Sequence, residues 1–212
     1  MFIDLHTHNA EHDERCIKIV SSNTVTSAAN TLFSVGIHPW YITNSWQEDI
    51  QSIAAIAGDK RVAAIGECGI DMVKSAAGIE TQKEVLKAHI AISEKEEKPL
   101  ILHCVKGYDT IIALYKESRP RQAWIIHGFR GKPEQAAQLL RVGFYLSYGE
   151  KYNRDSLAAT PLDRLFIESD TSTRSIAEIY HSIAMELGTS TETLMAATQK
   201  NAEKCNIRTT AQ

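Results

Sequence analysis

His6 and His8 lie two residues apart at the end of the apolar run Met1-Phe-Ile-Asp-Leu-His-Thr-His. On a helix that separation splits two side chains onto different faces, whereas on a strand it aims both the same way. One cation could then be held by two imidazoles, and Asp4 falls on the same alternation one pair further in. The placement recurs along the chain: Glu67 follows Val62-Ala-Ala-Ile-Gly, His103 follows Pro99-Leu-Ile-Leu, His127 follows Ala123-Trp-Ile-Ile, and Asp170 ends Leu165-Phe-Ile-Glu-Ser-Asp. Ligand types that recur at successive strand ends imply one shared mouth, and so a metal-dependent hydrolase on a parallel β/α scaffold.

The types suggest a division of labour. A carboxylate can bridge two cations, while an imidazole binds one through a given nitrogen. Glu67, flanked by glycines in Ile65-Gly-Glu-Cys-Gly-Ile-Asp71, is the expected bridge. His103 and His127 are the expected pair on the second cation, and Asp170 returns to the first. This mixture of nitrogen and oxygen donors suits Zn2+ first, then Mn2+, Ni2+, Co2+ or Fe2+, better than an all-oxygen Mg2+ site. Two divalent cations would activate a shared water and clamp the attacked group. Asp170 would take the proton and later deliver it to the leaving oxygen. Taken singly, each residue has a blander reading. A strand-end histidine is more often a hydrogen-bonded core or loop residue, Asp170 could cap the next helix, and Glu67 could pair with a lysine. Their common placement, in one consistent chain order, favours the joint reading.

The elements that must position these groups alternate. Strands are expected over Met1–His6, Cys16–Ser21, Leu32–Gly36, Val62–Gly66, Leu100–His103, Ala123–His127, Gly143–Ser147 and Leu165–Glu168. Most are continuous apolar runs, as expected of parallel strands buried on both faces. Capping boxes at Ser45-x-x-Glu48, Thr81-x-x-Glu84 and Ser175-x-x-Glu178 mark helix starts. Pro133 fits the first turn of a helix over Glu134–Val142, with Gly143 at its exit. The stretch Glu80–Glu97 puts Val85, Leu86, His89, Ile90 and Ser93 on one stripe, and further helices are expected over Ser175–Leu187 and Thr191–Lys204. The architecture expected is α/β, a (β/α)8 TIM-type barrel forming a single domain over 1–212. Between Thr7 and Phe33 there is room for one strand and only a short helix, so the first β/α units should be abbreviated.

Composition narrows the setting. The chain has 212 residues, 43% of them hydrophobic, with a net charge of −3, so its overall field will not draw in polyanions. The four cysteines, Cys16, Cys68, Cys104 and Cys205, form no CxxC pair and read as reduced core thiols. Cys68 and Cys104 directly follow proposed ligands, and alternation should turn them outwards. No stretch approaches the ~20 apolar residues of a membrane helix. A cytoplasmic protein without a membrane or obligate protein partner is expected. His12, His89 and His181 lack strand-end placement and read as structural or surface residues.

Ordered motifs running nearly end to end resemble the TatD family of metal-dependent hydrolases, in the amidohydrolase-like superfamily. They are Asp4-Leu-His-Thr-His8, Val35-Gly-Ile-His-Pro39, Gly66-Glu-Cys-Gly-Ile-Asp71, Leu100-Ile-Leu-His103, Ile126-His-Gly-Phe-Arg-Gly131, Gly143-Phe-Tyr-Leu-Ser147, Glu168-Ser-Asp170 and the tail Thr198–Glu203. The opening motif alone also resembles PHP-type phosphoesterases, which account less well for Val35–Pro39 and Gly66–Asp71. The TatD resemblance implies one metal held by His6, His8, Glu67 and Asp170, and another by Glu67, His103 and His127. His38 would line the pocket without being an obligatory ligand. It also implies phosphodiester hydrolysis of DNA or a small phosphodiester, often exonucleolytic. The departures fall on substrate loops. Val105 and Lys106 stand where the family usually has an arginine two residues after the histidine, and Thr171-Ser-Thr-Arg-Ser175 replaces a longer basic loop. Another ester, an amide or a phosphomonoester as substrate, or a metal-bearing binding protein without turnover, are the alternatives.

Lys106 and Arg130, with Lys132, Lys151, Arg154 and Arg174, follow expected strand ends and so belong to the catalytic rim of a barrel, where they could grip a phosphate. Trp40, Tyr41, Phe129, Tyr148 and Tyr152 lie near the same ends and could stack on a base or simply pack.

Overall fold

A computed structural model describes residues 1–11, 13–26 and 31–207; His12 lies outside the described residues. Eight strands form one parallel sheet in sequential order: β1 (Phe2–Thr7), β2 (Cys16–Ser21), β3 (Thr31–Val35), β4 (Val62–Asp71), β5 (Leu100–Val105), β6 (Trp124–Ile126), β7 (Tyr145–Tyr148) and β8 (Leu165–Ile167). The sheet closes on itself by a parallel bridge between Thr7 and Asp170. There the amide of Asp170 donates to His6 O at 2.9 Å, and that of His8 donates to Asp170 O at 3.2 Å. The expected (β/α)8 barrel is the fold.

The doubly buried strands explain the continuous apolar runs. Ile101, Ile125 and Phe166 join Ile3, Leu5, Ile17 and Tyr145 in a cluster inside the barrel, reached from the C-terminal end of the chain by Ala202, Cys205 and Ile207. Their neighbours Leu100, Leu102, Trp124, Ile126, Leu165 and Ile167 join the larger cluster between strands and helices. Side chains alternate along a strand, so His103, His127 and Asp170 continue the inward phase of Ile101, Ile125 and Phe166. Cys16 and Cys68 are buried in the outer cluster and Cys104 packs against it, as the alternation predicts.

The helices are α1 (Trp46–Ile56), α2 (Ile79–Glu96), α3 (Tyr108–Ser118), α4 (Pro133–Val142), α5 (Arg154–Ala158), α6 (Ile176–Glu186) and α7 (Thr191–Lys204). Among the described residues, no helix joins β1 to β2 or β2 to β3. The Ser175 box forms, with Ser175 Oγ accepting from Glu178 N and Glu178 Oε2 accepting from Ser175 N at 2.8 Å. The other two expected boxes do not. Ser45 holds the N-cap position of α1, but its hydroxyl meets Thr43 instead of a helix amide. Helix α2 begins ahead of Thr81, with Gly78 at its N-cap.

Strand β4 runs well past Gly66, because its backbone deforms without ending. Its register with β5 shifts between Ile65 and Cys68, the Gly66–Glu67 peptide is cis, and Gly66 and Gly69 have φ of 141° and 140°. A Cβ on Gly69 would lie 2.1 Å from His103 O, and one on Gly66 2.3 Å from Ile101 O. These glycines therefore let β4 and β5 approach closely enough for Glu67 and His103 to meet. Gly69→Ala should lower the free energy of unfolding by on the order of 3 kcal/mol, through strained backbone and a backbone clash. Urea denaturation checks this against Gly78→Ala, where an added Cβ meets nothing within 4 Å; equal midpoints for the two variants would refute it.

Candidate metal centre

All six ligands expected from the sequence meet at the C-terminal mouth of the barrel around Glu67, whose two oxygens face different partners. Oε2 lies 3.1 Å from His6 Nε2 and 3.8 Å from His8 Nε2, and the Oδ1 of Asp170 is 4.0 and 3.7 Å from the same two nitrogens. Oε1 lies 2.7 Å from His127 Nε2, 3.0 Å from His103 Nδ1 and 3.1 Å from His38 Nε2. Two sets of donor atoms, His6–His8–Glu67 and His38–Glu67–His103, each lie within 4.8 Å of one another, compact enough to hold an ion. His38 thus stands closer to the centre than a pocket-lining residue need be.

Asp4 does not join this cluster. The register of β1 with β2 shifts between Asp4 and Thr7, which breaks the alternation expected through Asp4, His6 and His8. The Asp4 carboxylate instead accepts from Ser169 N at 2.8 Å and Ser169 Oγ at 2.6 Å, bracing the segment that carries Asp170.

The electrostatics suit a cation. Burial works to raise the Glu67 carboxyl, but His127, His103 and His38 outweigh it and hold it far below the usual carboxylate range. Burial likewise works against a proton on His127, yet Glu67 on one ring nitrogen and Glu168 on the other raise it well above the imidazole range. The carboxylate therefore demands a positive partner. His6 is completely buried, and among the described residues neither of its ring nitrogens makes a hydrogen bond of good geometry, although Glu67 Oε2 stands 3.1 Å from Nε2, in a position where buried polar atoms are normally satisfied. Orphaned imidazole nitrogens beside an ionised carboxylate fit a divalent cation.

Two further carboxylates orient the imidazoles. Asp71 Oδ2 lies 3.0 Å from His103 Nε2, and Glu168 Oε1 lies 3.3 Å from His127 Nδ1. Each leaves the other ring nitrogen facing Glu67, an arrangement that fixes the tautomer of a metal-binding histidine. Trp40 Nε1–H donates to Asp71 Oδ2 at 2.6 Å. Sequence reasoning assigned no role to Asp71 or Glu168. The available signal was phase, since Glu168 precedes Asp170 by two residues.

His89 is a satisfied core histidine. Its Nδ1–H donates to Val85 O at 2.7 Å and its Nε2 accepts from Ile37 N at 2.9 Å, next to His38. Burial lowers its pKa to about 4. Because the folded value is depressed below the ordinary 6.5, its contribution to stability is full above pH 6.5 and is lost as pH falls through 4. At 1.36 kcal/mol per unit this amounts to about 3 kcal/mol. Unfolding free energies of wild type and His89→Gln, measured from pH 7 to 4, should converge by that amount on acidification. Parallel curves would exclude it.

A cavity of about 610 Å3 opens over the centre, lined by His8, His38, Glu67, His103, His127 and Asp170 and extending to Ser22, Asn23, Trp40, Tyr41 and Asp49. No lysine or arginine is among its described lining residues. Arg130 lines a separate cleft of about 110 Å3 with Lys151 and Asp170, while Lys106 is exposed and lines neither. Arg154 reaches Glu186, and Arg174 reaches Ser182 and the carbonyl of Glu178. Phe129 and Tyr148 are core residues.

Fold and site together define a (β/α)8 barrel with a histidine–carboxylate centre at its C-terminal mouth. The sequence profile of the TatD-related DNases matches residues 5–206, and the chain belongs to that family. The metal-dependent hydrolase YcfH of Escherichia coli K12, itself uncharacterised, is 31% identical over 150 residues, covering 67% of this chain and 56% of YcfH. The 3'-5' ssDNA/RNA exonuclease TatD of Klebsiella pneumoniae is 28% identical over 149 residues, covering 65% and 56%. The chain thus spans a little over half the length of the curated relatives it matches. Among solved structures, the TatD homologue YjjV of Escherichia coli K12 superposes with a TM-score of 0.80 at 19% identity, over 96% of this chain and 97% of that one. A TatD-family hydrolase of Entamoeba histolytica gives 0.78 at 17% identity, over 96% and 97%. These two show the shared fold. No helix among the described residues is long and apolar enough to cross a membrane.

Proposed function

We propose that this chain is a binuclear metal-dependent phosphodiesterase acting on single-stranded DNA ends or short oligonucleotides. The observation that carries the reading is the split of Glu67, with Oε2 toward His6 and His8 and Oε1 toward His38, His103 and His127. His6, His8, Glu67 and Asp170 would hold one cation. Glu67, His103 and His127 would hold the other, with His38 beside it. Bound there, divalent cations supply Lewis-acid polarisation of a phosphoryl oxygen and bring the pKa of a water near neutrality. The nuclease named among the relatives supports the choice of substrate.

The remaining work falls to residues of the chain. Asp170 has a left-handed backbone, φ 50°, held on both sides by the His6 and His8 bonds that close the barrel. Its carboxylate stays at the mouth, where it can take a proton from the attacking water and return it to the leaving oxygen. Asp71 and Glu168 keep the proton of each imidazole on the nitrogen facing away from the centre.

The test is cleavage of a short end-labelled single-stranded DNA by chelated protein, reloaded separately with Zn2+, Mn2+, Ni2+, Co2+ or Mg2+. Metal-dependent shortening is expected. Uncleaved DNA alongside turnover of another ester or amide would move the substrate class and keep the centre.

A further inference from the structure

The surroundings of the centre are charged unequally. On one side of Asp170, the small cleft carries the exposed cations Arg130 and Lys151 beside two carboxylates, Glu150, which accepts from Ser172 Oγ at 2.9 Å, and the buried Glu168, which faces His127. On the other, the large cavity runs out past His38 to neutral amide and hydroxyl groups, one carboxylate, and two aromatic rings. Trp40 is 38% and Tyr41 70% exposed, two adjacent aromatic rings with accessible faces at the cavity's edge. The two rings are held differently. The Trp40 indole is fixed by its bond to Asp71, by Lys74 Nζ at 4.4 Å from the ring centroid, and by His38, whose ring centroid is 4.7 Å away. Tyr41 touches His38 at 5.6 Å between centroids and keeps most of its ring open to the cavity.

We propose that the outer half of this cavity is a subsite for one terminal nucleobase, stacked on Tyr41 against the fixed wall of Trp40, while the following phosphates lie along Arg130 and Lys151. The proposal rests on the phosphodiester reading above and adds the polarity of the substrate across the centre. A neutral planar ring suits the aromatic surface, since every base offers a π-face. The described lining residues of the cavity include no lysine or arginine, which argues against a phosphate there. Asp49 and Asn23 at its edge can meet the exocyclic amino group of adenine, cytosine or guanine. A strand placed the other way round would set its phosphates beside Asp49 with no lysine or arginine among the described residues of that cavity, and leave Arg130 and Lys151 beside a neutral base.

The experiment compares a short oligonucleotide with copies carrying an abasic residue at one end or the other. In parallel, chelated protein is titrated with deoxyadenosine 5'-monophosphate and with deoxyribose 5-phosphate. Base stacking makes the base-bearing end about tenfold better in kcat/KM than its abasic counterpart, and the nucleotide about tenfold tighter than the sugar phosphate. Tyr41→Ala, a change at an exposed position, should bring both ratios to about one. Arg130→Glu with Lys151→Glu should raise KM for the strand and leave the ratios as they are. Equal rates on base-bearing and abasic ends, with cleavage intact, would overturn the subsite and spare the phosphodiesterase reading. If no strand is cleaved, the phosphodiesterase reading fails, and the titration alone decides: a Tyr41-dependent preference for the nucleotide upholds the subsite, and equal affinities overturn it.

Discussion

Asp170→Asn is expected to lower kcat on single-stranded DNA by about 10³-fold, the range for loss of a positioned general base, while leaving the fold and most of the metal in place at saturating cation. The barrel-closing bonds of residue 170 are made by its backbone, with His6 O and with His8 N, so they survive the substitution. The carboxylate is the outlying member of the cluster, with Oδ1 3.7 Å from His8 Nε2 and 4.0 Å from His6 Nε2. Asparagine keeps one oxygen for a cation but cannot accept and return a proton near neutral pH. Kinetics at saturating Zn2+ or Mn2+, with metal content measured on the same sample, separate the two roles. A variant with full metal and unchanged kcat would show that Asp170 is a ligand and not the base.

Glu67→Gln should do more, abolishing cation retention as well as turnover. The carboxamide offers one oxygen where two are needed. Its NH2 would face either the His6–His8 pair or the His38–His103–His127 group, whose nitrogens lie 2.7 to 3.1 Å from Oε1. It also removes one of the two carboxylates, the other being Glu168, that together raise the His127 imidazole. Several kcal/mol of charge stabilisation supplied by the cations, at 1.36 kcal/mol per tenfold, corresponds to a fall of about 10³ to 10⁴ in kcat. Dialysed Glu67→Gln should carry well under one metal per chain. A variant that still retains two would place the bridge elsewhere.

The fold was legible because parallel strands buried on both faces have a simple signature. Runs such as Leu100–Leu102 and Trp124–Ile126 are apolar at every position, and β2 has the predicted bounds Cys16–Ser21. The Ser175 box marks the start of α6, whereas α2 is legible from its apolar stripe over Glu80–Glu97 and only its start behind Gly78 is not, since glycine leaves no hydroxyl or carboxylate to read. Helix α3, behind Gly107, and the short α5, behind Asn153, went unread.

Strand-end phase anticipated where His103, His127 and Asp170 would meet. It failed at Asp4, where a register shift not visible as a glycine or proline redirects the side chain to Ser169. The orienting carboxylates Asp71 and Glu168 were hidden for a different reason. Asp71 follows Glu67 by four residues across a distorted strand, and only the backbone path through Gly66 and Gly69 shows that both reach His103. The rim cations were the least predictable, because lysine and arginine side chains follow local partners: Arg154 goes to Glu186, and Arg174 to Ser182.

A pair of cations sharing Glu67 is tested by metal stoichiometry, read by native mass spectrometry on reloaded wild type, His8→Ala and His103→Ala. Two bound ions per wild-type chain, falling to one in each variant, is the predicted result. A single ion in wild type, lost equally in both variants, would contradict it.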